Sequence, residues 1–313
     1  MTRTIRFLLS VGMTGQRLMK KMRFLLSVGM TTILAFSFVS CTEEIKIDLD
    51  TTYTRLVIYS ELTTDTMAHS VSLTKSMDYY VPRLPQGISG AEVTLFKKVG
   101  KEWEKLFQLQ ESKKGIYLTP NDFFGEEDTE YRLTVEKVDL LGDGHLTSYE
   151  AISYMPKFNK IDSIQTSIRE LKGVATKLIT IDLFAKDPPT VDYYMLKWRK
   201  NDTLITDSLR KWELTDDAPF NGQLIKGFPL IFIPEDSERI QFYEGDRVTL
   251  EVSTITKEFF DYVLNLQNVS GIQTPMSSSI PGNVYGNFNN KDVFGFFTTY
   301  GTSKGSCIFS KKE

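Results

Sequence analysis

Cys41 is the residue whose surroundings most clearly predict a chemical modification. It ends the segment Phe38–Cys41 (FVSC), which matches a lipobox, where an apolar residue and two smaller ones precede the cysteine. The apolar run Phe24–Val39 leads into it, behind the basic segment Lys20–Arg23. In such a signal the thiol is acylated, and cleavage then makes the cysteine the new N-terminus. The sequence therefore predicts lipidation of Cys41.

Residues 1–40 are predicted to be a lipoprotein signal peptide. The alternative is a transmembrane helix that stays in place, but the apolar run is short for a bilayer span and ends at a processing site. The segment RFLLSVGM occurs twice, at Arg6–Met13 and at Arg23–Met30, which indicates a local duplication or an early start codon. We expect translation to begin at Met19 or Met22.

The residues directly after Cys41 bear on which side of the membrane the protein faces. Thr42-Glu43-Glu44 resembles the acidic tag that exports lipoproteins of the Bacteroidota to the cell surface. We therefore expect an outer-membrane protein that faces the cell exterior, with residues 41–53 as a lipidated tether. The alternative is a lipoprotein on the periplasmic face.

Three acidic motifs could bind a cation or supply a general acid and base. Asp139–His145 (DLLGDGH) faintly resembles a calcium loop but lacks its alternating acids and closing Glu. Asp143-Gly144 within it is instead typical of a tight hairpin turn. Gly125–Asp128 and Pro234–Glu238 lie next to turns, which favours solvated loops. We predict no catalytic residue, no metal site and no cofactor.

The residue types that most enzymes and zinc sites need are scarce. The chain has two histidines, His69 and His145, and no cysteine cluster, so a zinc site has almost no ligands. If Cys41 carries lipid, Cys307 has no partner and is either a buried small hydrophobe or a free thiol. No nucleophile elbow, P-loop or dinucleotide fingerprint occurs. Paired carboxylates of a hydrolase stay possible, because their separation is invisible in sequence.

Tyrosines on loops are the candidate contacts for a ligand or a partner. Tyr79 and Tyr80 precede Pro82 and are predicted to lie in a loop, where aromatic rings contact sugars and proteins. Strand packing is the alternative for this pair. For Tyr193 and Tyr194, within a predicted strand, packing is favoured.

Composition and charge restrict the class of protein. The chain of 313 residues is 41% hydrophobic and 12% aromatic, which suits a globular, sheet-rich protein. Residues 1–40 contain six of the 37 basic residues and no acidic one, so the other 31 basic and 40 acidic residues give a net charge of −9. Such a surface repels nucleic acid, and we expect no nucleic-acid partner.

Short alternating strands and turns predict a mainly β fold with two antiparallel sandwich-like domains, at 54–155 and 156–313. The predicted strands are Arg55–Leu62, His69–Leu73, Ala91–Phe96, Trp103–Leu109, Gly115–Leu118, Tyr131–Val138, Leu146–Tyr154, Ile161–Ile168, Lys177–Phe184, Tyr193–Lys200, Leu204–Leu209, Leu230–Ile233 and Arg247–Ser253. Thr256–Val269 places apolar residues at helical spacing and predicts one amphipathic helix on the second sheet. Gly295, among phenylalanines, indicates a strand that lies close against another backbone.

Several segments, taken in order, resemble a known family. They are the lipobox with its acidic follow-on, Ile47–Asp50, Leu56–Tyr59, Ser89–Leu95, Gly115–Tyr117, Ile161–Ile164, the late helix and Phe294–Phe297. Together they are similar to Bacteroidota surface lipoproteins whose domain has no assigned function. The first domain also resembles the carboxypeptidase-regulatory, transthyretin-like sandwich.

The resemblance implies a partner. Genes of that family typically lie beside TonB-dependent outer-membrane receptors. The implied function is a non-catalytic accessory or substrate-capturing partner of such a β-barrel transporter, held by outer-membrane lipid through Cys41. The alternative is a free-standing adhesin or glycan-binding lipoprotein.

Overall fold

The computed structural model describes residues 54–77, 84–270 and 284–311. Most of them form strands, and one α-helix, α1, spans Lys257–Ser270. The strands in chain order are β1 Leu56–Thr63, β2 Ser70–Lys75, β3 Glu92–Val99, β4 Glu102–Gln108, β5 Gln110–Lys113, β6 Ile116–Leu118, β7 Thr129–Asp139, β8 Leu146–Met155, β9 Ile161–Arg169, β10 Leu178–Lys186, β11 Tyr193–Lys200, β12 Thr203–Leu204, β13 Glu213–Asp216, β14 Leu224–Pro234, β15 Arg247–Ile255 and β16 Val293–Ile308. The predicted fold class, mainly β with antiparallel sheets and one helix, is confirmed.

A nine-stranded sheet connects the beginning and the end of the described chain. Its order is β12-β11-β15-β16-β1-β2-β6-β5, with β13 also paired to β11. The contact between β1 and β16 is parallel, unlike the other strand pairs. Strands from both sides of the boundary predicted between residues 155 and 156 share this sheet. The boundary itself stays a prediction.

Gly295 allows β16 to lie against β1. Its φ of +96° is unfavourable for residues with a side chain, and an added Cβ would lie 1.9 Å from the carbonyl oxygen of Ile58. Gly286 approaches from the other side, where an added Cβ would lie 1.6 Å from the carbonyl oxygen of Gly295. The close backbone approach predicted at Gly295 is confirmed.

The apolar residues form separate cores between the layers. One core lies between the β1 end of the large sheet and the four-stranded sheet β4-β3-β7-β8, with Ile58, Leu133 and Phe297 at its centre. A second lies between the three-stranded sheet β14-β10-β9 and strands β11 and β15, around Ile181 and Leu250. The strands around each core direct apolar side chains towards the opposite sheet, as face-to-face sheet packing requires.

Helix α1 closes a third core against β11 and β16. The side chain of Thr256 accepts a hydrogen bond from the Phe259 N–H (3.3 Å), which caps the start of the helix. Phe259 and Val263 are buried, and the Phe259 ring lies 5.2 Å from that of Phe296. The predicted helix is confirmed, with its start one residue later than predicted. None of the helices in the described residues could span a membrane.

One local prediction was wrong. The predicted strand Leu204–Leu209 is not formed, because β12 ends at Leu204 and a 3₁₀ turn follows at Leu209–Lys211. The hydroxyl of Thr206 accepts a hydrogen bond from the Trp198 N–H (2.9 Å), so a side chain replaces the backbone partner that a strand would supply.

The strand predicted at Leu230–Ile233 extends much further, over all of β14. This strand contains Gly227 and Pro229, whose residue types argue against a regular strand. β14 lies at the edge of its sheet, and register shifts in its pairing with β10 accommodate both residues. The short strands β5 and β13 were not predicted.

Candidate functional site

The residues predicted to contact lipid or a partner lie mostly outside the described part of the chain. Cys41, Tyr79 and Tyr80 all fall outside it, so their roles stay predictions. Tyr194 is buried, and the Tyr193 ring packs 5.1 Å from Phe260 on α1. The packing role favoured for this second pair is confirmed.

The acidic motifs are engaged in local contacts. The Asp139 carboxylate accepts hydrogen bonds from the N–H groups of Gly142, Asp143 and Gly144, at 2.7, 3.2 and 3.1 Å. It therefore stabilises the hairpin turn between β7 and β8, as the Asp143-Gly144 sequence predicted. Glu126 pairs with Lys97 at 2.5 Å. Glu235 lies 4.0 Å from Lys311.

The histidines and Cys307 also have structural surroundings. His69 is buried, with Nδ1 3.4 Å from the Thr63 N–H and the ring edge-on to Phe123. His145 is exposed in the β7–β8 turn. Cys307 is a free cysteine, and burial raises the pKa of its thiol. Among the described residues, no group of three or more His, Cys, Asp or Glu side chains could hold a metal ion.

A cleft between two sheets combines an apolar lining with buried carboxylates in the described chain. It opens at the end where β10 leads to β11 and β13 leads to β14, and it has a cavity volume of about 50 Å³. Its walls come from the three-stranded sheet on one side and from β11, β13 and β15 on the other. The apolar lining residues are Ile161, Leu183, Ala185, Leu196, Phe220, Ile225, Phe228, Leu230 and Val252.

Three aspartates lie at the polar end of the cleft, in and beside its two connecting loops. Asp187 accepts hydrogen bonds from the Tyr194 hydroxyl (3.2 Å) and the Gly222 N–H (3.0 Å). Asp217 accepts one from the Asp192 N–H (3.0 Å). The side-chain amide of Asn159 donates to the Tyr194 hydroxyl (2.6 Å) and to Asp192 (3.2 Å). We call the three carboxylate residues the aspartate cluster: Asp187, Asp192 and Asp217.

Burial and mutual repulsion shape the electrostatics of the aspartate cluster. The pKa of Asp187 is raised, first by burial and also by the negative charges of Asp217 and Asp192. Burial raises the pKa of Tyr194 as well. The site combines an electronegative end with an apolar wall, an arrangement suited to binding an amphipathic cation or hydrogen-bond donor.

Sequence reasoning missed this site. Asp187 and Asp192 flank Pro188-Pro189, and Asp217 follows β13, so all three have the residue type and position of ordinary turn residues. The available signal was three aspartates at the ends of predicted strands. Nothing in the spacing indicated that two of them would be buried together.

A family model describes most of this chain. It matches residues 42–306, including the whole cleft, and its description is a domain of unknown function, DUF4249. The chain belongs to the DUF4249 family. The predicted membership of a family without an assigned function is thus confirmed, whereas the Bacteroidota origin and the receptor association of this DUF4249 protein stay predictions.

Other comparisons add little to the family assignment. The crystal structure of the chicken CNTN1 FN1-FN3 domains resembles the DUF4249 chain with 13% identity and a TM-score of 0.25. That match covers 82% of this chain and 66% of the other, so the chain spans just under two thirds of that structure. At this TM-score the likeness supports no conclusion. A search of curated proteins found no match.

Proposed function

We propose that this DUF4249 protein is an outer-membrane lipoprotein, anchored through acylated Cys41, that serves a TonB-dependent transporter as a non-catalytic accessory or substrate-capturing partner. The supporting observation is the position of the family match, which starts at Thr42, directly after Cys41. The conserved-domain boundary and the predicted cleavage site therefore coincide. Such agreement is expected where a signal peptide precedes a mature domain.

The length of the tether suits a protein that works close to the bilayer. Twelve residues, 42–53, separate Cys41 from the first described residue, Thr54. An extended chain of this length spans at most about 40 Å. Each acyl methylene buried in the bilayer contributes roughly 0.8 kcal/mol, and stable anchoring requires more than one chain or a second signal. The folded domain would thus stay within reach of a neighbouring membrane protein.

The charge of the mature chain favours a protein partner over direct binding to anionic headgroups. After residue 40 the formal net charge is −9, from 31 basic and 40 acidic residues. Such a surface is repelled by anionic lipid and attracted to basic patches on a partner.

Co-purification from the native membrane tests the partnership. The full chain, tagged at the C-terminus and produced in the organism that encodes it, is solubilised in mild detergent and isolated. We expect a TonB-dependent receptor in near-stoichiometric amount. The matched control is Cys41→Ser, which removes the acylated atom and blocks cleavage of the signal peptide; we expect this variant to be lost from the outer membrane and to lose the receptor.

Two results would contradict the proposal. Recovery of the lipidated chain from the membrane with no β-barrel protein in comparable amount would favour the adhesin or glycan-binding alternative. Cys41→Ser in the outer-membrane fraction at the wild-type level would exclude the lipid anchor.

A further inference from the structure

One carboxylate oxygen of Asp217, a residue that lines the cleft, has no hydrogen-bond partner among the described residues. Asp217 is only 3% exposed. Its Oδ2 accepts the bond from the Asp192 N–H, but its Oδ1 is buried and accepts none. Burying a polar atom without a hydrogen-bond partner is unfavourable, and more so when the atom is charged. A donor from a bound molecule would remove this cost.

The charge around Asp217 favours a cationic donor. Asp187 and Asp192 belong to the same cluster, and burial together with the charge of Asp217 raises the pKa of Asp187. In the described chain, the two lysines that line the cleft, Lys160 and Lys186, are exposed and form no ion pair with this cluster. A cation bound there would relieve the repulsion between the carboxylates.

The size and lining of the cleft limit the shape of the cation. Its volume of about 50 Å³ exceeds the roughly 10–15 Å³ needed for one water but is well below the ~150 Å³ cavity that holds a benzene ring. Leu183, Ile225 and Leu230 give it aliphatic walls. An unbranched alkyl chain fits such a slot better than an aromatic ring or a planar guanidinium on a bulky group.

The oxygen atoms available in the cleft favour an organic cation over a metal ion. Calcium takes six to eight oxygen ligands. Among the described residues no group of three His, Cys, Asp or Glu side chains could hold a metal ion, and the oxygens of Asp187 already accept bonds from Tyr194 and Gly222. An ammonium group needs only a few acceptors, and one carboxylate oxygen is free to supply the first.

We propose that the cleft binds an alkylammonium group, with the nitrogen hydrogen-bonded to Asp217 and the alkyl chain between the two sheets. This ligand class extends the proposed function without depending on it. The same chemistry occurs in a free primary amine and in the lysine side chain of a peptide.

Calorimetric titration of the full chain in detergent tests the proposal, with heats corrected against micelles alone. The probes are n-butylamine, its neutral analogue n-butanol, N-acetyl-lysine methylamide and calcium chloride. We expect at least tenfold tighter binding of butylamine than of butanol, because a charge-assisted bond to a buried carboxylate is lost in the alcohol. Tighter binding of the lysine derivative would indicate a peptide as the source of the amine.

Two aspartate substitutions separate the buried carboxylate from net charge. Asp217→Asn should weaken butylamine binding at least tenfold. Asp236→Asn removes the same charge from an exposed residue that does not line the cleft and should change binding by less than about twofold. Phe228→Ala shortens the apolar wall at a residue that is 38% exposed, so the fold should tolerate it, and binding should weaken about fivefold.

Thermal unfolding will show whether Asp217→Asn folds. The proposal can be tested even if this variant does not fold. In that case the comparison of amine with alcohol and the Phe228→Ala variant are sufficient. Equal binding of butanol and butylamine, calcium binding that displaces the amine, or butylamine affinity unchanged in folded Asp217→Asn or in Phe228→Ala would each overturn it.

Discussion

Replacing Gly295 with alanine is expected to lower the free energy of unfolding by at least about 3 kcal/mol. The left-handed backbone at φ +96° costs a residue with a side chain about 1–2 kcal/mol. The new Cβ would also lie 1.9 Å from the carbonyl oxygen of Ile58, a distance that forces β1 and β16 apart. Because this pair joins the first and last described strands, its separation weakens the whole nine-stranded sheet. Denaturant unfolding measures the loss.

Gly142 provides the matched control for this substitution. Its φ is +79°, yet no atom lies within 4 Å of an added Cβ. Gly142→Ala should therefore lower the free energy of unfolding only by the cost of the left-handed backbone, about 1–2 kcal/mol. Equal losses for the two variants would show that β16 does not lie against β1 at this residue.

Phe259→Ala is expected to destabilise the protein by about 3–5 kcal/mol, the usual cost of removing a fully buried phenylalanine. Phe259 is 0% exposed, and its ring lies 5.2 Å from Phe296 and 6.2 Å from Tyr262. The substitution leaves a cavity between α1 and the sheet. Denaturant unfolding again gives the free energy, and near-ultraviolet circular dichroism should report altered aromatic packing.

Leu264 is the control on the same helix. It is 40% exposed, so Leu264→Ala should change the free energy of unfolding by less than about 1 kcal/mol. Both variants place the same good helix former in α1, so helix propensity cannot account for a difference. A similar small loss for both would mean that α1 is not packed on β16 through Phe259.

Much of the fold could be predicted because local patterns and tertiary burial agree. The run of apolar and aromatic residues at Tyr193–Lys200 predicted β11 with its observed bounds, because such residues favour strands. The helical spacing of apolar residues predicted α1, because the buried face of an amphipathic helix recurs about every 3.6 residues. Gly295 was informative because few residues other than glycine tolerate its conformation.

The features that were not predicted share a physical cause. Each depends on tertiary contacts that cannot be inferred from the local sequence. Leu204–Leu209 has strand-like residues, but the bond from Trp198 to the Thr206 side chain takes the chain out of the sheet. The parallel pairing of β1 with β16 brings together segments more than 200 residues apart. Asp217 resembles any turn aspartate until the sheets bury it.

The sequence therefore predicted a modification at Cys41, which stays a prediction, but it did not predict the cleft. The chemistry at Cys41 could be inferred because a processing signal is a local sequence of fixed order. The aspartate cluster could not, because two loops from different strand pairs form it. Tyr79 and Tyr80 stay predicted contacts.

Intact mass spectrometry of the chain purified from its own membrane tests the lipid anchor most directly. We predict a species that starts at Cys41 and has the added mass of a glycerol-linked diacyl group, with or without an N-terminal acyl chain. A chain that keeps residues before Cys41, or one whose Cys41 is an unmodified thiol, would contradict the account.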